Sequence, residues 1–361
     1  MRRRVHFMSE QNPAIVESFN HALIDEIMFR RTPLEWPSMP ESETDPQAKR
    51  RHSDSSTPSE EADEASEADL LGIYSRYYSF DAIGEHYCGH LVGRQLLFAN
   101  LFVPQIDVPR GTVLVLHGYL DHSGTFGPLF RHLIEQGYCV LAVDLPGHGL
   151  SGGERGGIDD FATYADALDM IVERMRGQLP GPYACIGHST GGASLIEYLF
   201  HKRSPFGAHL LVAPLVRSIA WHASRIGFKL FHRYVAGVPR TFQRVSHNKA
   251  FLEFARRDPL QLRIIPNSWL RSLYAWNERI VRYPMAMASI DVIQGTHDQV
   301  VSWRYNLRFL QEKFVQCQVT LVRDRDCNHV LYNENPPIQQ RVLHWTSQCL
   351  ARSLSATTNS V

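Results

Sequence analysis

From Thr112 onward, short continuous apolar runs alternate with longer stretches whose apolar positions recur every three or four residues. Runs of that first kind are too short for helices and are not alternating, so they predict strands buried on both faces. They fall at Thr112–Leu116, Cys139–Val143, Pro182–Ile186, His209–Val212, Ile290–Ile293 and Val319–Val322. The helical stretches between them are Pro128–Glu135, Asp159–Arg176, Ala193–Leu199, Trp303–Phe314 and Ile338–Leu350. Strand and helix in turn imply an α/β fold, a mostly parallel sheet with helices on both faces. Ahead of this beat, Tyr78–Phe102 alternates apolar with polar and predicts two or three strands, with turns at Gly89 and Gly93.

The pattern changes at both ends and once in the middle. One amphipathic helix is expected over Ile15–Phe29, ended near Pro33, within an N-terminal extension of residues 1–40. Residues 41–69 contain no Val, Ile, Leu, Met, Phe, Trp, Tyr or Cys, and carry ten acidic residues against Lys49, Arg50 and Arg51. Such a span cannot bury enough apolar surface to offset its ordering entropy, so it reads as a disordered acidic linker. The folded domain is expected over 70–352, with a flexible tail at 353–361 and residues 1–69 dispensable for folding and chemistry. Residues 216–283 interrupt the beat between two strands and form an insertion.

Composition narrows the class. The formal net charge is zero, which gives a nucleic-acid role no support. The six cysteines (Cys88, Cys139, Cys185, Cys317, Cys327, Cys349) form no C-x-x-C pair. They read as free thiols of a reduced compartment, without a disulfide framework or a zinc site. No His/Cys/Asp spacing suggests a metal, and no cofactor is expected. Only Val5-His6-Phe7-Met8 follows the basic start, too short for a signal peptide. No apolar run approaches the roughly 20 residues that cross a bilayer. The expectation is a cytoplasmic protein, with peripheral membrane contact left open.

Chemistry concentrates at Gly187-His188-Ser189-Thr190-Gly191, set between a predicted strand and a predicted helix. In that context Gly-x-Ser-x-Gly forms a sharp turn that thrusts the serine hydroxyl outward. The two glycines remove the side chains that would clash in such a turn. A serine nucleophile needs a base, and the base needs an orienter. Asp298 follows the strand ending Val292-Ile293-Gln294-Gly295, and His329 lies in the loop after the last strand. Their order, Ser189, Asp298, His329, is the one this kind of turn requires. Asp326 is the better of two alternative acids, Asp324 being the other. His344 reads as packed in the terminal helix, and His297 as a loop residue. The main-chain N–H groups of Tyr119, after His117-Gly118, and of Thr190 are the expected oxyanion-hole donors.

Five blocks carry a resemblance. They are His117-Gly118-Tyr119-Leu120-Asp121-His122-Ser123-Gly124, Asp144-Leu145-Pro146-Gly147-His148-Gly149-Leu150-Ser151, Gly187-His188-Ser189-Thr190-Gly191-Gly192, Gly295-Thr296-His297-Asp298 and Asn328-His329. Together, over about residues 75–352, they resemble the monoacylglycerol lipase/lysophospholipase group of α/β-hydrolases, also labelled serine aminopeptidase S33. The resemblance implies the α/β-hydrolase fold with a helical cap, and ester hydrolysis without a cofactor. It also implies that Asp144–Ser151 is a structural loop beside the site. Thr190 stands where many relatives have Met, which leaves its backbone donor intact.

The insertion would then be the cap. It holds thirteen Lys/Arg against Glu253, Asp258 and Glu278, and eleven aromatics. Arg225, Lys229 and Arg233 recur every four residues and would share one helix face, with Trp221, Phe228, Phe231 and Val235 largely on another. These residues are candidates for contact with a single-chain lipid ester, a lysophospholipid or monoacylglycerol, or with an anionic membrane. The plainer alternative is a solvated basic face over a packed core. Other readings of the whole chain are a small-molecule carboxylesterase or thioesterase of the same fold, and a non-catalytic binding protein on a hydrolase scaffold. A basic cap argues against a prolyl iminopeptidase, and a serine nucleophile against dehalogenases and epoxide hydrolases.

Overall fold

A computed structural model of the protein describes residues 13–37, 61–241 and 245–358. Helices α1 (Pro13–Ser18), α2 (His21–Arg30) and α3 (Glu61–Tyr77) come first. The sheet begins with β1 (Glu85–Val92) and β2 (Leu96–Val103), followed by β3 (Thr112–Leu116), α4 (Gly127–Glu135) and β4 (Cys139–Val143). Then come α5 (Ala162–Met175), β5 (Tyr183–His188), α6 (Thr190–His201) and β6 (Ala208–Val212). The insertion contributes α7 (Trp221–Phe231), β7 (Gly237–Pro239), α8 (Lys249–Arg257), β8 (Ile264–Pro266) and α9 (Asn267–Ile280). The chain closes with β9 (Ala286–Gly295), α10 (Trp303–Lys313), β10 (Phe314–Val322) and α11 (Pro336–Thr358).

Eight strands form one sheet in the order β1-β2-β4-β3-β5-β6-β9-β10. Only β2 runs against the rest, pairing antiparallel with both β1 and β4. Strands β3, β4 and β6 are buried along their whole length, as their mainly apolar runs demand. Two apolar clusters cover the two faces. One gathers Leu114, Leu141, Ile171, Leu195 and Trp276, and the other Val113, Val140, Ile186, Phe130 and Val342. Successive strand residues thus feed opposite layers. Fold and layers are those of an α/β-hydrolase, with β3, β5, β9 and β10 ending at one edge of the sheet, where loops can build a site.

Both chain ends differ from expectation. The N-terminal helix is two helices, because Asn20 breaks it: its side chain accepts from Leu23 N at 3.2 Å and caps α2. This segment is part of the folded body. Phe19, Ile24, Ile27 and Leu34 are buried, and the Phe19 ring meets those of Tyr74, Tyr77 and Tyr78 at 5.9, 4.4 and 5.6 Å. Thr32 and Leu34 exchange backbone hydrogen bonds with His90 in β1. The expected disordered linker also ends early, since α3 starts at Glu61 in a run of Glu, Asp and Ala that suits a helix start; its residues 41–60 lie outside the described ones. The expected tail at 353–361 is helical to Thr358, with Leu354 buried and the Ser353 hydroxyl donating to Asp291 at 3.1 Å.

Candidate active site

Ser189 sits between β5 and α6 with φ 51° and ψ −109°, a conformation that L-residues rarely adopt. The turn closes only because its flanks are glycines. A Cβ on Gly187 would lie 2.6 Å from Gly191 O, and one on Gly191 2.3 Å from Leu116 O. Ser189 itself is buried, and its backbone is tied to β6 by Ser189 N→Val212 O at 3.0 Å.

Three side chains from three strand ends converge here. Oγ of Ser189 is 2.9 Å from Nε2 of His329, and Nδ1 of His329 is 2.8 Å from Oδ2 of Asp298. The other carboxylate oxygen, Oδ1, accepts from the amides of Val300 and Val301, and Gln294 Nε2 reaches Oδ2 at 3.1 Å. Burial alone would raise the pKa of Asp298, but His329 and these amides outweigh it and the pKa is lowered. An ionised Asp298 requires Nδ1–H on His329, which leaves Nε2 to take the serine proton. His188, 5.0 Å away ring to ring, stays neutral: burial and the neighbouring His329 push its pKa down to about 3.

The rival residues lie elsewhere. Asp324 binds Arg341 at 2.8 Å, and Asp326 and His297 are exposed. His344, expected to be packed, is exposed and meets Gln348 at 2.9 Å, because it falls on the outer face of α11.

The loop after β3 presses against the elbow. A Cβ on Gly118 would stand 2.8 Å from His188 Nδ1 and 3.3 Å from Ser189 Cβ, so only glycine fits. Tyr119 and Thr190 flank Ser189 on the two loops, and among the described residues neither backbone N–H donates to a protein acceptor. Beneath them, Asp144 holds the Asp144–Ser151 loop: Oδ1 accepts from Ser123 N and Oγ, and Oδ2 from Leu150 N. That loop supplies no group to the Ser189 relay.

Sequence reasoning missed how the insertion grips the loop after β3. Leu120 has φ 63°, and its carbonyl accepts from Arg240 Nη1 at 2.7 Å and from Leu262 N at 3.1 Å. The Tyr119 ring stacks on Trp269 at 3.6 Å between centroids, and its hydroxyl donates to Gly156 O at 2.7 Å. Behind it, His122 Nε2 donates to Oδ2 of Asp258 at 2.8 Å, and Tyr78 to Oδ1 at 2.9 Å, all buried. The insertion also reaches the other side of the site, where Val245 O accepts from the amides of His329 and Val330. Trp269 stood out in the sequence only as one cap aromatic among eleven, and Arg240 as one base among thirteen.

The predicted cap stripe is divided by the structure. Helix α7 ends at Phe231, so Arg233 lies in the following turn and not on the helix face. Arg225 forms an ion pair with Glu278 and lies 5.9 Å from the Tyr274 ring centre. Trp221 is buried against Tyr274, and Phe228 is half-buried between Tyr274 and His232. Phe231 and Val235 instead point outward, with Lys229 and Arg233 beside them in the chain and also exposed. Among the described residues, no helix is long and apolar enough to cross a membrane.

The model of the family described as serine aminopeptidase, S33 matches residues 107–336, more than half the chain and all of the site. The chain belongs to that family. This S33-family chain is 29% identical over 286 residues to human monoglyceride lipase, covering 74% of the chain and 92% of that protein. A monoacylglycerol lipase from Paleococcus ferrophilus shares its fold with a TM-score of 0.60 at 22% identity, covering 71% of this chain and 99% of that one. A soluble variant of Saccharomyces cerevisiae monoglyceride lipase, solved with a substrate analog, gives 0.61 at 17% identity, with 75% and 96% covered. The protein is a serine hydrolase of the α/β-hydrolase fold, in the monoacylglycerol lipase-like group.

Proposed function

We propose that this S33-family enzyme cleaves the carboxylic ester of a single-chain lipid through an acyl-enzyme on Ser189. The observation that carries the reading is the continuous relay from Ser189 Oγ to His329 to Asp298. His329 takes the Ser189 proton as Oγ adds to the ester carbonyl. The N–H groups of Tyr119 and Thr190 stabilise the oxyanion, each worth about 10²–10³ in rate. His329 then gives the proton to the leaving alkoxide. Water, deprotonated by the same imidazole, releases the fatty acid and restores Ser189. The monoglyceride lipase relatives favour a monoacylglycerol over a lysophospholipid as substrate.

The outward residues of the cap fit delivery from a lipid surface. Leu230 is 61% exposed, Phe231 59% and Tyr234 83%, and Lys229 and Arg233 lie among them. Apolar side chains flanked by bases match a shallow, peripheral contact with an anionic membrane.

A fluorophosphonate probe followed by intact mass and peptide mapping tests the chemistry. One adduct on Ser189, absent in Ser189→Ala, is expected. A panel of monoacylglycerols, lysophospholipids, thioesters and soluble short-chain esters tests the substrate. Labelling of Ser189 without turnover of any single-chain lipid would overturn the lipid assignment and leave the serine chemistry standing.

A further inference from the structure

Where the insertion leaves the sheet, a cavity of about 350 Å³ opens beside Arg217. The Arg217 guanidinium is held in one plane. Its Nε donates to Asn277 Oδ1 at 3.0 Å, and its carbon lies 3.8 Å from the Tyr305 ring centre and 5.5 Å from that of Trp221. Neither Nη atom has an acceptor among the described residues, and no carboxylate pairs with it. A guanidinium fixed at Nε and between rings presents its remaining N–H groups as a fork, the geometry that matches phosphate and carboxylate oxygens.

Other donors surround the same space. Helix α7 starts at this cavity, with Ala220 at its N-cap and therefore no side chain to satisfy its first amides. Ser224 takes the first carbonyl, Ala220 O, at 2.9 Å, so the N–H groups of Trp221, His222 and Ala223 precede the helix ladder. The Trp221 indole N–H is buried without an acceptor, and Trp221 lines the cavity. Ser302 lines it too. It stands at the N-cap of α10, yet its hydroxyl does not cap that helix. No lining residue is acidic. The structure therefore brings one cation and two helix starts around one cavity whose lining holds no acidic residue.

We propose that this cavity binds a phosphate group. A tetrahedral oxyanion offers acceptors in several directions and can meet the Arg217 fork, the α7 amides and the Ser302 hydroxyl together, where a planar carboxylate meets only part of the set. The bound group ties the first cap helix to the loop of the catalytic acid. That loop is already joined to this segment: Ile219 N donates to Val300 O, Ser302 N donates to Arg217 O, and Val300 and Val301 hold Asp298. The site is independent of which ester Ser189 cleaves. The phosphate comes from a soluble phosphate ester or from a phosphomonoester lipid headgroup, and the experiment separates the two.

The full-length protein is titrated by calorimetry and followed by thermal melting with inorganic phosphate, with acetate, and with sodium chloride at matched ionic strength. Phosphatidylcholine vesicles with and without phosphatidic acid form a second arm. Two variants accompany the wild type. Arg217→Gln removes the fork. Ala223→Asp places a carboxylate in the first turn of α7, at an exposed position where an acidic residue favours the helix, so folding is kept. A saturable response to phosphate, weakened roughly tenfold or more in both variants, is expected for a soluble ligand. A response only to vesicles with phosphatidic acid, lost in both variants, supports the headgroup. Acetate binding as well as phosphate would overturn the assignment to a tetrahedral anion. No response to any probe, or one that both variants retain in full, would overturn the site.

Discussion

His329 turns its Nδ1 to Oδ2 of Asp298 at 2.8 Å, although Asp326 is only three residues away along the chain. The acid is therefore chosen by the sheet, which brings the ends of β9 and β10 side by side, and not by proximity in sequence. Ser189→Ala and His329→Ala are each expected to lose on the order of 10⁶ in kcat, since triad members act as a unit. Asp298→Asn is expected to lose roughly 10⁴ by favouring the wrong imidazole tautomer. Asp326→Asn should stay near wild type. Steady-state kinetics on a soluble ester, with circular dichroism to verify folding, decide the matter. A worse loss in Asp326→Asn than in Asp298→Asn would reassign the acid.

The N-terminal segment is expected to matter for stability, against the reading that residues 1–69 are dispensable. Phe19 is buried among Tyr74, Tyr77 and Tyr78, and Leu34 is tied to β1 through His90. Phe19→Ala should cost about 3–5 kcal/mol, the usual range for an aromatic core residue. Removing residues 1–36 should lower the urea midpoint further and expose apolar surface to a dye such as ANS. An unchanged midpoint in both would show that the segment merely rests on the domain.

What the sequence disclosed, and what it hid, follows from the range of the forces involved. Thr112–Leu116 and Cys139–Val143 coincide with β3 and β4 because both are apolar but for Thr112 and buried on both faces. Strand β9 runs from Ala286, beyond the predicted Ile290–Ile293, because Ser289 separates its first residues from that run and they include the exposed Met287. Ser189, Asp298 and His329 were legible because each lies at a strand end with a recognisable neighbourhood. The clamps were not. His122 and Asp258 are 136 residues apart, Arg240 and Leu120 are 120 apart, and no local pattern announces either pair. The docking of Phe19 was hidden likewise, because an amphipathic helix does not name the face that covers it.

Surface charge on the cap should act through two residues, not three. Arg225 is engaged by Glu278, which leaves Lys229 and Arg233 beside the exposed Leu230 and Phe231. At about 1 kcal/mol per basic residue near an anionic surface, Lys229→Ala/Arg233→Ala should lower activity on anionic vesicles by roughly 10–30-fold at low salt. High salt should remove most of the difference, and a soluble neutral ester should show none. Leu230→Ser/Phe231→Ser should reduce vesicle binding at any salt. Equal losses on the soluble ester would mean that these residues hold the cap together.

The buried contact between His122 and Asp258 should give stability a pH dependence of defined sign. Burial opposes a charge on His122, but Asp258, at 2.8 Å, outweighs it and the His122 pKa is raised. A proton held more tightly in the folded than in the unfolded chain stabilises the fold fully below the unfolded pKa, about 6.5. That stability is lost as pH rises through the folded value. Asp258→Asn removes the charged acceptor of the buried His122 Nε2–H, whose Nδ1 accepts from Gly124 N at 3.1 Å, and should cost about 1–3 kcal/mol near pH 6. The gap to wild type should narrow as pH rises through the folded value, because the wild type then loses the part of its stability that the raised pKa supplies. Urea midpoints of both proteins across this range provide the measurement. A gap that widens with pH would mean that His122 is neutral in the fold and that Asp258 acts only as an acceptor. Because Asp258 belongs to the insertion and His122 to the loop after β3 that carries Tyr119, the same variant should also lower kcat on a soluble ester at pH values where it remains folded. A loss confined to stability would separate the clamp from the chemistry.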